Sequence, residues 1–283
     1  MQRVAQRNAI VIGMPRSGTS LAASVFARKG YFVADDEASE LDPGDDHNPF
    51  GYWEATRLVE RNVAILAAAG FPHHNTWLYE AISDEQARRI AELEPAEEDR
   101  QLVAGYNQSQ PWMWKDPRFC YTLSYWWKLM DPAQTGVLLI RREPEAIYNS
   151  FLRRSWRKGS EADRRDVFSR VDHHIAAAER AIQEGRIPHL AVRYQDYLEK
   201  PGMVAERVGT LFGMQLSVAD LNVRAELNHS SAKGRIGASF YRLKKHLPGK
   251  RILKRVIPSR LITLLWPERK YAPPQQPSGG QER

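Results

Sequence analysis

An apolar run, Ala9-Ile10-Val11-Ile12, leads directly into Gly13-Met14-Pro15-Arg16-Ser17-Gly18-Thr19-Ser20, and a helical pattern follows. A strand, a glycine-bounded turn and a helix N-terminus in that order make an anion cradle. Successive backbone N–H groups point at one spot, and the helix dipole favours negative charge there. The stretch has the outline of a phosphate loop, G-x-x-x-x-G-K-[ST], with Thr19 standing where the lysine belongs. Such a loop is expected to hold an anion other than Mg-ATP.

The rest of the chain supplies the sheet this loop needs. Ala9 to Ile12, Trp112 to Trp114, Val137 to Ile140 and Leu190 to Val192 read as buried strands. Helical patterns separate them. Leu21, Ala22, Val25 and Phe26 share one face before Gly30, and further helices are expected over Glu54 to Ala69, Asp84 to Glu94, Asp163 to Glu184 and Pro201 to Phe212. Asp35 to Tyr52, rich in acid, Pro, Gly and Asn, reads as a loop. The expected fold is α/β and P-loop NTPase-like: a mainly parallel sheet with helices on both faces, plus a basic C-terminal helical extension. The expected division is a main domain over 1–240, a basic amphipathic segment over 241–271 and a disordered tail over 272–283.

At 283 residues the chain can bury one sizeable core, and 42% hydrophobic with 27% charged residues is ordinary for a globular protein. No run approaches the roughly 18 to 20 apolar residues that cross a bilayer. Met1 to Asn8 is short and polar and is expected to be neither signal peptide nor anchor. Cys120 is the sole cysteine, so no internal disulfide can form, which favours a reducing cytoplasm. Of 41 basic and 34 acidic residues, ten and one lie between Arg242 and Tyr271, leaving 31 and 33 elsewhere. The net charge of +7 therefore belongs to the C-terminal segment, and nucleic-acid binding by the whole chain is not expected. In that segment Ile252 and Val256, and Leu253 and Ile257, repeat at helical spacing between the cations. It either packs on the domain with its cations outward or lies on an anionic membrane surface, which would make the protein peripheral at the inner membrane.

A second constellation is Val137-Leu138-Leu139-Ile140-Arg141-Arg142-Glu143-Pro144, with Ser150 eight residues after Arg142. A buried strand delivers an arginine at its C-terminal end, where open α/β sheets bind ligands. Arginine and serine suit a phosphate, one as a charged fork and the other as a neutral donor. An arginine here also serves equally well as half of a surface ion pair.

Together the two constellations resemble the sulfotransferases that use 3′-phosphoadenosine 5′-phosphosulfate (PAPS). The resemblance covers roughly Asn8 to Gly237. It implies that the loop from Pro15 through Arg16, Ser17, Gly18 and Thr19 to Ser20 holds the 5′-phosphosulfate. It implies that Arg142 and Ser150 hold the 3′-phosphate. Asn48-Pro49-Phe50-Gly51-Tyr52-Trp53-Glu54 resembles an N-P-x-G-[FY]-W-E segment, and Trp114-Lys115-Asp116-Pro117-Arg118 a K-D-P-R segment of bacterial members. Val192-Arg193-Tyr194-Gln195-Asp196-Tyr197 resembles a strand end whose tyrosine lies near the adenine. Gln195 replaces the usual glutamate. Lys233-Gly234-Arg235-Ile236-Gly237 is similar to a late loop over the 3′-phosphate, with Ala232 where that loop has arginine.

The resemblance implies in-line sulfuryl transfer to a hydroxyl or amine, with no metal expected. Positioning and charge stabilisation carry such a reaction, and Arg16, the loop amides and Lys115 are the candidates for the charge developing on the leaving phosphate. The histidine base of many relatives would fall at Pro117, so Glu54 is the candidate base, with His47 and Asp116 in reserve. Lys115 and Glu54 each also have a plain reading, an ion pair and a helix-start acid. His173-His174 reads as a partly exposed helix face rather than a metal site. Tyr121, Tyr125, Trp126 and Trp127 read as core or as an acceptor wall. Trp156 with Arg153, Arg154, Arg157 and Lys158 reads as a solvated basic face or as a flank for an acidic acceptor. The rival readings are a P-loop kinase or NTPase and a non-catalytic membrane-surface nucleotide-binding protein. The acceptor stays open among glycans, lipid-linked sugars, small molecules and peptide tyrosines.

Overall fold

The structure, a computed structural model, describes residues 6–34, 51–71 and 81–221. His47, Asn48 to Phe50, Lys233, Gly234, the basic segment and the tail lie outside the described residues. Strand β1 (Asn8–Ile12) and helix α1 (Thr19–Arg28) come first. Helices α2 (Thr56–Ala68), α3 (Asp84–Glu92) and α4 (Glu97–Asn107) precede β2 (Met113–Lys115). Then come α5 (Phe119–Trp127), β3 (Thr135–Arg141), α6 (Pro144–Arg153) and α7 (Glu161–Glu184). Strand β4 (His189–Arg193), α8 (Tyr194–Glu199) and α9 (Pro201–Phe212) follow, before a short 3-10 turn over Ala219–Leu221.

The four expected strands form one all-parallel sheet in the order β2-β1-β3-β4. Parallel strands buried on both faces are apolar throughout, and the alternation shows only in which layer each residue joins. Ala9 and Val11 face α1 and α9, in a layer with Met113, Leu138, Ile140 and Val192. Ile10 and Ile12 face the opposite layer of α2, α3, α4, α5 and α7. On the first face Phe26 meets Phe212 edge-on at 4.9 Å. On the second, Trp114 stacks on Phe119 and meets Trp126 edge-on at 5.1 Å.

That second face decides the aromatic segment. Tyr121, Tyr125 and Trp126 are buried in the core, and Trp127 packs against it, so they do not wall a pocket. His174 is buried too, its Nδ1 hydrogen-bonded with the Tyr121 hydroxyl at 2.8 Å, whereas His173 is exposed and bonds back to Ser169. The pair is thus split between core and surface, one residue apart on α7. Among the described residues no cluster of His, Cys, Asp and Glu is arranged to hold a metal ion. Nor is any described helix long and apolar enough to cross a membrane.

Helix α4 is absent from the sequence expectations. Pro95 ends the preceding helix, since a residue before proline avoids the helical region. Three acids, Glu97, Glu98 and Asp99, then occupy the first turn of α4, where the helix dipole favours them. Asp99 is buried, clamped by Arg61 at 2.7 and 3.0 Å and bonded by the Tyr125 hydroxyl. At α7 the Ser160 and Asp163 side chains each bond the other's backbone N–H, a reciprocal cap.

Asn62 of α2 ties the second layer together from inside. Its carbonyl accepts from Thr122 Oγ1 at 2.7 Å and Trp126 Nε1 at 2.8 Å, and its amide donates to Asp116 Oδ2 at 2.9 Å. Replacing it leaves three buried polar groups short of a partner. Asn62→Ala is expected to cost about 2–4 kcal/mol, seen as a lower urea midpoint with an unchanged slope. A loss below about 0.5 kcal/mol would show that the network is dispensable.

Candidate functional site

The strand order puts a switch point between β1 and β3, where one crossover runs to β2 and the next to the opposite side. Each of the four strands delivers a candidate residue at its C-terminal end. Lys115 ends β2, the loop from Gly13 follows β1, Arg142 follows β3 and Tyr194 follows β4.

The loop is held open as a cradle. Gly18 caps α1 with φ 106°, so the N-cap residue offers no side chain to the helix, and no acid lies in its first turn. The first N–H groups of α1 thus receive no cap from that residue. Ser17 is buried, and its Oγ has no hydrogen-bond partner among the described residues. Arg16 adopts φ 69°, turning the chain at the loop's apex. Met14 anchors the loop from below, its side chain buried among Ile147, Tyr148, Phe151 and Leu152 of α6 and Val167 and Val171 of α7.

Arg142 reaches across the switch point. Its Nη1 donates to the Arg16 carbonyl at 2.9 Å, and its guanidinium lies 4.3 Å from the centre of the Tyr194 ring. Its Nε and Nη2 are buried with no hydrogen-bond partner among the described residues. This excludes a surface ion pair. Burial pushes its pKa down, as expected of a cation removed from water without a carboxylate. Arg16 donates from Nε to Ser150 Oγ at 3.1 Å. That bond brings its guanidinium to the Ser150 side of the loop. Tyr194 contacts Gly18 closely: a Cβ on that glycine would sit 2.4 Å from the ring.

On the other side of β1, Lys115 pairs in register with Val11. Its buried ammonium makes an ion pair and hydrogen bond with Glu54 Oε1, and the Tyr52 ring lies 5.9 Å away. Burial pushes the Glu54 carboxyl above the usual carboxylate range, while the Lys115 charge pulls against it. The two plain readings, ion pair and helix-start acid, thus share one contact with the functional ones. Asp116 has no oxygen to spare. Its Oδ1 accepts from the Arg118 backbone and guanidinium at 2.9 and 3.0 Å, and its Oδ2 from Asn62. It is a fully buried structural acid, which removes it as a reserve base. Cys120 is also buried, and its thiol is pushed up to about 12 by desolvation, so it offers no nucleophile.

With that geometry in place, sequence comparison is decisive: residues 9–218 match the sulfotransferase family. The chain belongs to this family. No curated protein matches it by sequence. Among solved structures it is similar to the sulfotransferase domain of the olefin synthase of Synechococcus PCC 7002, at 17% identity over 83% of this chain and 84% of that one, with TM-score 0.44. It is also similar to the sulfotransferase STF1 of Mycobacterium tuberculosis H37Rv, at 14% identity over 81% and 76%, with TM-score 0.45. The sulfotransferase domain of the curacin biosynthetic pathway gives 14% identity over 81% and 82%, with TM-score 0.43.

In this sulfotransferase-family chain three arginines at the end of α6 and just beyond it divide three ways. Arg157 pairs with Asp166 at 2.8 Å, and Arg154 lies on the rings of Tyr52 and Trp156 and bonds the Tyr52 hydroxyl. Arg153 instead leaves both terminal nitrogens buried without a hydrogen-bond partner among the described residues. A solvated face therefore does not describe the stretch. The signal available in the sequence was the spacing of Arg153 from Ser150, three residues on one helix.

The Gly18–Tyr194 contact is open to test. Gly18→Ala places a Cβ into the ring at a left-handed φ and is expected to cost about 2 kcal/mol or more, with loss of anion binding. Adding Tyr194→Ala should recover part of that stability, giving a non-additive double-mutant cycle measured by urea unfolding. Additive losses would mean that the ring does not set the loop.

Proposed function

We propose that the chain transfers a sulfuryl group from PAPS to a hydroxyl or amine acceptor. The observation that carries this reading is a pair of adjoining donor sets at one sheet edge, each with buried polar atoms that have no hydrogen-bond partner among the described residues. One is Ser17 at the N-terminus of α1, and the other is Arg142 with two buried nitrogens unused. Two anionic groups on one ligand fit this arrangement, and PAPS carries a 5′-phosphosulfate and a 3′-phosphate. The loop from Pro15 to Ser20 would take the first, and Arg142 with Ser150 the second. Lys233 and Gly234 belong to this reading through the resemblance alone.

PAPS supplies the activated sulfuryl group, and the chain's own residues do the rest. Glu54 Oε2, the oxygen not paired with Lys115, takes the acceptor's proton as the acceptor oxygen or nitrogen bonds to sulfur. The bond from sulfur to the bridging oxygen breaks, and that oxygen leaves as the 5′-phosphate of 3′-phosphoadenosine 5′-phosphate (PAP). Arg16, the loop amides and the Lys115 ammonium stabilise the charge it gains. Tyr194 positions Arg142 and the loop. The acceptor class proposed is a glycan, a lipid-linked sugar or a small molecule. The setting proposed is cytoplasmic, supported by the single cysteine, with peripheral attachment through the basic C-terminal segment to an anionic membrane as part of the reading.

Calorimetry should detect PAP binding without magnesium, and preference for Mg-ATP over PAP would sink the donor assignment. Arg142→Ala is expected to weaken PAP by roughly 10- to 100-fold more than adenosine 5′-phosphosulfate, which lacks the 3′-phosphate. Equal losses would remove Arg142 from that phosphate.

Glu54→Gln keeps an acceptor for Lys115, so PAP affinity should hold while turnover from PAPS falls by roughly 10²- to 10⁴-fold. The sign of the pH effect follows from the raised carboxyl. A base works ionised, so kcat/KM should rise with pH through a limb lying above the ordinary carboxylate range. That limb should vanish in Glu54→Gln. A limb that persists in the variant would assign the titration to another group.

A further inference from the structure

Arg153 stands out among the arginines of its surroundings. Arg157 and Arg170 both pair with Asp166, Arg164 pairs with Glu145, and Arg141 pairs with Glu179. Arg153 is the last residue of α6, one helical turn beyond Ser150, so the two side chains share a face. Ser150 on that face is already bound by Arg16, and Arg16 is bound by Arg142. Both terminal nitrogens of Arg153 are buried and have no hydrogen-bond partner among the described residues. Burying a guanidinium fork without a carboxylate is unfavourable unless an anion arrives to use it.

Resting on the donor reading above, we infer that Arg153 is a third cationic ligand of the 3′-phosphate, joining Arg142 and Ser150. The two nitrogens form a planar fork, suited to two oxygens of one phosphate. The mutual effect of the cations agrees with this placement. Arg153 is lowered to about 10, chiefly by burial and then by the charges of Arg142 and Arg16. A phosphate dianion among them reverses that repulsion into attraction.

The test compares PAP with adenosine 5′-phosphate, which differ only in the 3′-phosphate, on the full chain by calorimetry. The proteins are wild type, Arg153→Gln and Arg153→Lys, with folding checked by circular dichroism. Arg153→Gln is expected to weaken PAP by roughly 10- to 100-fold and adenosine 5′-phosphate by less than about threefold. Arg153→Lys keeps the charge and should recover part of the loss. If wild type shows no preference for PAP, the donor reading fails and this inference fails with it. If wild type prefers PAP but Arg153→Gln loses both nucleotides equally, or neither, only the assignment of Arg153 is overturned. Should the glutamine variant not fold, Arg153→Lys decides alone: a loss confined to PAP supports the fork, and equal or absent losses overturn it.

Discussion

The contact between the Tyr194 ring and Gly18 is the constraint on which the site depends. The ring stands where any side chain on residue 18 would have to be, so the loop can pass only with glycine there. The same ring carries the Arg142 guanidinium, and Arg142 in turn holds the carbonyl of Arg16. Three strand ends are thereby locked by one aromatic side chain. β4 supplies the ring, β1 the loop that meets its edge, and β3 the cation over its face. None of these contacts uses the donors that a ligand needs.

The distribution of charge around that lock is uneven. Carboxylates are spent freely elsewhere: Asp99 holds Arg61, Asp166 holds Arg157 and Arg170, and Asp116 is absorbed into the Asn62 network. Arg142 instead lies between the Arg16 carbonyl and the Tyr194 ring face. A carboxylate there would neutralise it and block its fork. Across β1 the opposite choice is made. There Lys115 and Glu54 are buried together, so the cation is compensated and the acid is kept close to it.

Much of the architecture was readable from the chain because parallel sheets buried on both faces leave apolar runs of strand length. All four were identified within a residue or two, and the loop after β1 declared itself through glycine spacing. The reading failed where direction, rather than composition, decided the outcome. Arg153 sits in a basic stretch where Arg157 pairs with Asp166 and Arg154 lies on aromatic rings, and only its helical register with Ser150 separates it from them. His174 and His173 are neighbours in sequence yet point a hundred degrees apart on α7, one into the core. Asp116 beside Lys115 looked chemically available, but its partner Asn62 lies on a helix fifty-odd residues away. Helix α4 hid because its acidic first turn resembles a solvated stretch until Tyr125 and Arg61 are seen to close on Asp99.

Met14 carries a consequence of a different kind. Its side chain, in the middle of the loop, is buried with residues of α6 and α7. The loop after β1 and the helix that bears Ser150 and Arg153 therefore share one apolar nucleus. A change of volume at Val167 or Val171 is thereby felt at Met14 and in the loop it anchors. Methyl groups with no polar chemistry of their own thus help to set the loop's shape.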